Sequence, residues 1–280
     1  MAHAMKRAPK SLLLWFMTLV VTLLAAYYQR RTGPSYPLSG SITVGGEAVA
    51  YHLPRSHGGS GDARITVPVA DALIDGILEY RRYKSADNWR QMPMTRDDGR
   101  LTASLPHQPP AGKVMYRVSL RAPGSPPVPL TEEPVIIRFR GDVPIGVLIP
   151  HIILMFTAML LSTRTGLEAL VRGDSLLTFA LWTVGLLFVG GLIFGPIVQK
   201  YAFGSFWTGW PLGHDLTDNK TFVAFIGWVI ALIRIRRNPR ARVSAIVAAV
   251  ILLAIFLIPH SLLGSELDHV STAQNLGDSL

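Results

Sequence analysis

Three histidines, one aromatic loop and two short acidic runs hold the side chains in this sequence that could do chemistry. His151 follows Pro150 near the start of an apolar stretch, His214 sits in a polar run, and His260 follows Pro259 at the end of another apolar stretch. Imidazoles at a membrane edge can ligate haem iron or a divalent metal. The ordinary alternative is that each caps a helix end or sits among headgroups, and both readings stay open here. The runs His214-Asp-Leu-Thr-Asp-Asn219 and Glu266-Leu-Asp-His269 set carboxylates beside imidazole. Neither has the spacing of a hydrolytic metal centre, and no metal site is assigned. An Asp-x-x-Asp-Asn run is expected to open a helix, as an N-cap with acidic residues in the first turn. The sequence has no Gly-x-Ser-x-Gly, no His-Glu-x-x-His and no P-loop. No catalytic residue is assigned, and the chain is read as a non-enzyme.

Between the first and last of these histidines runs the stretch 199–221. Tyr201, Phe203, Phe206, Trp207 and Trp210 crowd into ten positions, followed by His214, Asp215, Asp218, Asn219 and Lys220. Aromatic rings settle at the headgroup level of a bilayer. The Gly-punctuated polar half reads instead as a shaped surface loop. The five aromatics, with His214 and Asp215, are the expected contact residues for a protein partner.

The elements that must position these groups are membrane-like. The chain has 280 residues, 49% hydrophobic and 16% charged, on the membrane side of the globular average. It has no cysteine, which excludes disulfides, thiolate metal sites, Cys nucleophiles and covalent c-type haem attachment. The net charge of +9 is not spread evenly. Residues 33–143 carry thirteen Lys/Arg against eleven Asp/Glu, and the surplus lies beside apolar runs: Lys6, Arg7 and Lys10; Arg164 and Arg172; Arg234, Arg236, Arg237, Arg240 and Arg242. That is the positive-inside pattern of membrane topology, so no nucleic-acid partner is expected.

Apolar segments at 11–28, 145–162, 176–197, 222–233 and 243–259 predict five crossings. The first has no clean cleavage site before Tyr27 and reads as an uncleaved anchor with a cytoplasmic start. No ionisable residue lies inside these stretches away from their ends, which argues against transport. Gly185, Gly190, Gly191 and Gly195 predict close helix–helix packing, with a groove for a lipid, pigment or haem ring as the alternative.

Residues 34–140 change to short alternating runs, with strands expected at 41–44, 48–53, 63–68, 76–83, 101–105, 114–121 and 135–139. In the sixth, Val114, Tyr116, Val118 and Leu120 should face inward. Seven short strands in about a hundred residues predict a β-sandwich. The run from Leu105 to Tyr116 resembles the E–F region of immunoglobulin-like and fibronectin type III domains, which implies a disulfide-free sandwich with Tyr116 in the tyrosine-corner place. The expected fold is a multi-domain membrane protein, an all-β immunoglobulin-like sandwich inserted between an N-terminal anchor and a four-helix transmembrane domain. Its parts are a start and anchor (1–32), the sandwich (33–143), four transmembrane helices with an external aromatic loop (144–262, loop 198–221) and a polar tail (263–280).

A second resemblance falls on the loop. Phe203-Gly-Ser-Phe-Trp-Thr-Gly-Trp210, then Asp215, Lys220-Thr221 and the apolar run to Trp228, resembles the tryptophan-rich WWD loop of haem-handling proteins in cytochrome c maturation. The resemblance implies haem held by His151 and His260, with Trp207 and Trp210 as its platform. Here Phe203 stands in place of the family's first Trp, Gly209 is inserted, and Pro211 occupies the Asp position.

The reading from these features is a non-catalytic subunit of a bacterial inner membrane, with the β-domain, the loop and the C-terminal end periplasmic. Its partners are other membrane protein subunits and the bilayer. Its role is structural, in the assembly of an electron-transfer complex, respiratory or photosynthetic. No cofactor is assigned, and haem handling is the alternative.

Overall fold

The computed structural model describes residues 7–238 and 240–259, so the start of the chain, Pro239 and the segment 260–280, including His260, Glu266 and His269, lie outside the described residues. The chain divides into a helical unit and a β unit, the latter comprising 35–142 with the short stretch 202–204.

Within the β unit, β1 (Leu38–Val44) and β2 (Glu47–Leu53) form an antiparallel hairpin. Gly45 and Gly46 close it with φ of +58° and +88°, a pair of left-handed residues that suits the right-handed twist of the strands. A six-stranded sheet runs in the order β3 (Ser56–Gly58), β11 (Val135–Arg140), β9 (Lys113–Arg121), β5 (Asp75–Arg82) and β6 (Arg90–Pro93), with β10 (Val128–Pro129) also on β9. Its pairs are antiparallel except β11 with β3. A third sheet joins β4 (Ala63–Pro68), β8 (Arg100–Leu105) and β7 (Thr95–Asp97). Residues of all three sheets share one apolar core, including Val49, Ile65, Leu78, Leu105, Tyr116 and Phe139.

Each of the seven expected strands is present, and the period-two reading of β9 holds residue by residue. Val114, Tyr116, Val118 and Leu120 are buried, while Lys113, Met115, Arg117 and Ser119 are half-buried and Arg121 is exposed. Tyr116 donates its hydroxyl proton to the Pro54 carbonyl at 2.8 Å, 62 residues earlier in the chain. A tyrosine corner would reach only a few residues upstream. The bond therefore fastens β9 to the loop after β2, and burial pushes the phenol pKa up.

The helices are α1 (Arg7–Thr32), α2 (Ile145–Leu170), α3 (Leu176–Leu187), a π-helical turn (Phe188–Phe194), α4 (Gly195–Phe203), α5 (Leu216–Arg237) and α6 (Arg242–Leu257), all in the helical unit except the last two residues of α4. The π turn joins α3 and α4 into one continuous helix. Four helices are long and apolar enough to cross a membrane: α1, α2, the composite helix from Leu176 to Phe203, and α5. The expected fifth crossing, α6, is shorter at 16 residues, about 24 Å against a hydrocarbon core of about 30 Å. Conversely, the span expected at 222–233 extends to 22 residues in α5.

The distribution of side chains in this unit is that of a membrane protein. Small residues line the interior, among them Ala158, Ala180, Ala224, Ala245 and Ala248, while Phe16, Leu23, Ile153, Trp182 and Val243 stand exposed. Close packing of small residues associates helices where lipid supplies no hydrophobic drive. A Cβ on Gly190 would come within 2.8 Å of the Leu154 Cβ, and one on Gly191 within 2.8 Å of the Thr221 Cγ2. The packing role expected of this glycine group is met at these two positions. Trp228, fully buried, donates its indole N–H to the Ser162 hydroxyl at 3.1 Å.

Arg164, expected beside the apolar run in a basic turn, is buried, and Glu168 is buried with it. The apolar run of α2 stops at Ser162 in the sequence, but the helix continues to Leu170, so Arg164 and Glu168 lie one turn apart and buried. They form an ion pair at 2.5 Å. The Arg164 guanidinium also lies 5.4 Å from the Trp15 ring and 4.9 Å from that of Phe179. Arg242 donates to the Gly173 carbonyl at 3.0 Å, bringing the turn after α2 to the turn before α6. The exposed Arg172, Arg234, Arg236, Arg237 and Arg240 thus gather at one end of the helical unit.

Candidate functional site

Asp215 opens α5 as its N-cap, with its carboxylate accepting from the Thr217 N–H at 2.7 Å. The cap reading of this run is met there. Asp218, in the first turn, does something the run alone does not announce. Its Oδ2 faces back and accepts from the backbone N–H of Thr208 at 2.7 Å and of Gly209 at 3.0 Å, and from the Thr208 hydroxyl at 3.3 Å. The next residue extends the clamp: Asn219 Oδ1 accepts from the Trp210 N–H at 2.6 Å. Three consecutive amides of the loop are thereby satisfied by two side chains of one helix turn, as a buried loop backbone requires.

Further bonds close the loop from its other edge. Gln199, in α4, donates its amide to the Thr208 hydroxyl at 2.6 Å, and the Asp215 N–H returns to the Thr208 carbonyl at 2.9 Å. Gly209 is required by this closeness, since a Cβ there would lie 2.6 Å from that of Asp218. Lys220, the other buried charge of this turn, reaches the end of α6 and donates to the Ile258 carbonyl at 2.7 Å. Cations at a helix C-terminus complement its dipole and its unpaired carbonyls.

With its polar groups turned inward, the loop shows an apolar edge. Phe206 is 57% exposed, Trp210 65% and Leu212 78%, with Tyr201 and His214 also exposed. Trp207 is half-buried, edge-on to Phe222 at 6.4 Å, and its indole N–H donates to the Trp210 carbonyl at 3.1 Å. Phe203 belongs with the β unit, where the Arg138 guanidinium lies 3.8 Å from its ring. Of the seven residues expected to contact a partner, Tyr201, Phe206, Trp210 and His214 are therefore displayed. Trp207 and Phe203 are partly covered, and Asp215 is buried as a cap. Leu212, which lies outside those seven, is displayed beside them. Asp218 and Asn219 were read as part of the polar run, without their clamp.

His151 lies in α2, half-buried, with Nδ1 donating to the Gly190 carbonyl at 2.9 Å. A carbonyl can only accept, so the proton is on Nδ1 and Nε2 carries the lone pair. Gly190 sits in the π turn, whose wider spacing shows in the Gly195 N–H reaching back five residues to that same carbonyl. His260, its expected counterpart, lies outside the described residues. Among the described residues no three His, Asp or Glu side chains converge on a point that could hold a metal ion. Comparison with protein-family models gives no match. Comparison with curated proteins gives none either.

Proposed function

We propose that this protein is a non-catalytic integral membrane subunit whose clamped loop docks a partner subunit of a larger membrane complex. The observation that carries the proposal is the inversion of the loop: its polar groups hold the backbone, and Phe206, Trp210 and Leu212 face outward. Aromatic anchors on a pre-ordered segment bind without a large ordering cost. The buried ionisable groups are consistent with a structural role, because Asp215, Asp218, Lys220 and Glu168 each hold backbone groups. In this reading the β unit is an immunoglobulin-like sandwich, it shares the periplasmic side with the loop, and the arginine-rich turns face the cytoplasm. The host is an electron-transfer assembly, respiratory or photosynthetic. Gentle detergent purification tests it: a membrane assembly with redox absorbance should co-migrate with the unaltered chain and be lost from a Trp210→Ala, Leu212→Ala variant that melts normally. Isolation of the chain alone, or retention of the assembly by that variant, would refute the proposal.

A second reading, haem handling, has one observation in its favour. The Nδ1–H bond of His151 to Gly190 leaves Nε2 as the nitrogen an iron would take, and such a bond to a carbonyl is the usual way a ligating imidazole is oriented. It predicts a Soret band on adding haem under reducing conditions, lost in His151→Ala. No band in the unaltered chain would remove it.

A further inference from the structure

We propose that His57, His107 and the main-chain carbonyl of Gly61 form a site in the β unit for a divalent transition-metal ion of the zinc and copper class. His57 lies in β3, on the six-stranded sheet, and His107 follows β8 of the three-stranded sheet. Both rings nevertheless aim at one atom. His57 Nε2 is 2.9 Å from the Gly61 carbonyl oxygen, and His107 Nδ1 is 3.1 Å from it. Phe139, fully buried and in register with His57, holds both imidazoles edge-on, with ring centroids at 5.4 and 5.7 Å. Asp62 Oδ1 accepts from the His107 backbone N–H at 2.8 Å, which fixes His107 beside the glycine.

Gly61 is exposed, so water would satisfy its carbonyl without either ring. Two ligands about 2.1 Å from one ion stand about 3.0 Å apart at a right angle and about 3.4 Å apart in a tetrahedron. Separations of 2.9 and 3.1 Å are therefore those of neighbouring ligands on an ion. Each ring donates to the carbonyl through the nitrogen an ion would take. Moving that proton to the ring's other nitrogen frees the lone pair with no net change in protons. Imidazole suits zinc, copper and nickel, whereas magnesium and calcium take oxygen ligands. No third ionisable side chain converges with this pair among the described residues, which leaves the remaining positions to water. A Cβ on Gly59 or Gly61 would meet nothing within 4 Å, so the loop is open on its outer side. The ion would tie edge strand β3 to the end of β8, and so one sheet to the other, a cross-link that a chain without cysteine cannot make as a disulfide. The proposal is independent of the docking role of the aromatic loop.

Zinc chloride is the probe, titrated by calorimetry into the full-length chain in detergent without a histidine-rich purification tag. One saturable zinc site is expected in the β unit. His57→Gln and His107→Gln should each weaken it by more than the roughly tenfold that loss of an outer-shell partner costs. Glutamine keeps an amide donor for the Gly61 carbonyl, so these variants retain the loop's hydrogen bond while losing the ligand. His52→Gln, in β2, should leave zinc binding unchanged, and magnesium chloride should not fill the site. In the unaltered chain, hydrogen exchange of peptides spanning 56–62 and 101–109 should slow on adding zinc. Zinc uptake by both variants as tight as by the unaltered chain overturns the proposal, as does weakening in only one of them. Exchange in both peptides that ignores zinc overturns it without any variant.

Discussion

Replacing Asp218 with alanine should release the aromatic loop without unfolding the rest of the chain. Asp218 Oδ2 accepts two backbone N–H groups, from Thr208 and Gly209, in a buried setting. A hydrogen bond to a charged group contributes about 1.5–3 kcal/mol, and each buried donor left unmatched carries a desolvation cost. The two bonds share one oxygen and so do not add fully, which puts the local loss near about 3 kcal/mol. Asp218→Asn keeps an acceptor oxygen but not the charge, and should cost about 1 kcal/mol. Hydrogen exchange read by mass spectrometry on peptides spanning 205–213 measures the effect directly. At one decade per 1.4 kcal/mol, exchange of the Thr208 and Gly209 amides should accelerate about a hundredfold in Asp218→Ala. Peptides from β9 (113–121) serve as the internal reference and should not change. Equal exchange in 205–213 for Asp218→Ala and the unaltered chain would show that the carboxylate does not hold the loop, and the inverted-loop argument would fall with it.

Gly190→Ala and Gly191→Ala each place a Cβ 2.8 Å from a packed side-chain atom, and should lower stability by about 1–3 kcal/mol through overpacking. Gly227→Ala meets nothing within 4 Å and should melt like the unaltered chain in detergent; equal melting of all three variants would refute the close approach of the π turn to α2 and α5. Arg164→Met strands the Glu168 carboxylate inside α2 and should cost about 3 kcal/mol, whereas adding Glu168→Gln should restore part of the loss. Urea or thermal titration of the single and double variants decides it, and a double variant less stable than the single refutes the pairing. In the β unit, the hydrogen bond from Arg82 holds the Asp87 carboxyl down to about 2, below the ordinary carboxylate value. The sign follows: this pair's stabilisation is present above the unfolded carboxylate pKa and disappears as pH falls through about 2. Because Arg82 is half exposed, it amounts to at most about 1 kcal/mol. Melting curves of Asp87→Asn and the unaltered chain should therefore differ slightly at pH 6 and coincide near pH 2; a gap that widens in acid refutes the assignment.

What the sequence made legible follows the range of the forces involved. The strand of Val114, Tyr116, Val118 and Leu120 could be read because the pleat alone sends alternate residues to opposite faces. Strands β3, β6, β7 and β10 could not, since two to four residues carry no period and their pairing is decided by neighbours elsewhere in the chain. Arg164 was misplaced for a related reason. A hydropathy reading ends at the first charge, yet one helical turn brings Glu168 to it, and Trp15, 149 residues away in sequence, supplies part of its surroundings. The loop shows the same limit more sharply. Its residue types announced an aromatic surface and an acidic helix start, both local properties. That Asp218 reaches back nine residues to the Gly209 amide depends on how α4 and α5 are set, which no local pattern encodes. With the Asp218 bonds to Thr208 and the Asn219 bond to Trp210, that contact turns the polar half of the loop inward. Backbone amides drawn into a tight turn need acceptors, the nearest are the carboxylate and amide of the first turn of α5, and meeting that need turns the polar half in. Phe206, Trp210 and Leu212 are exposed as a consequence.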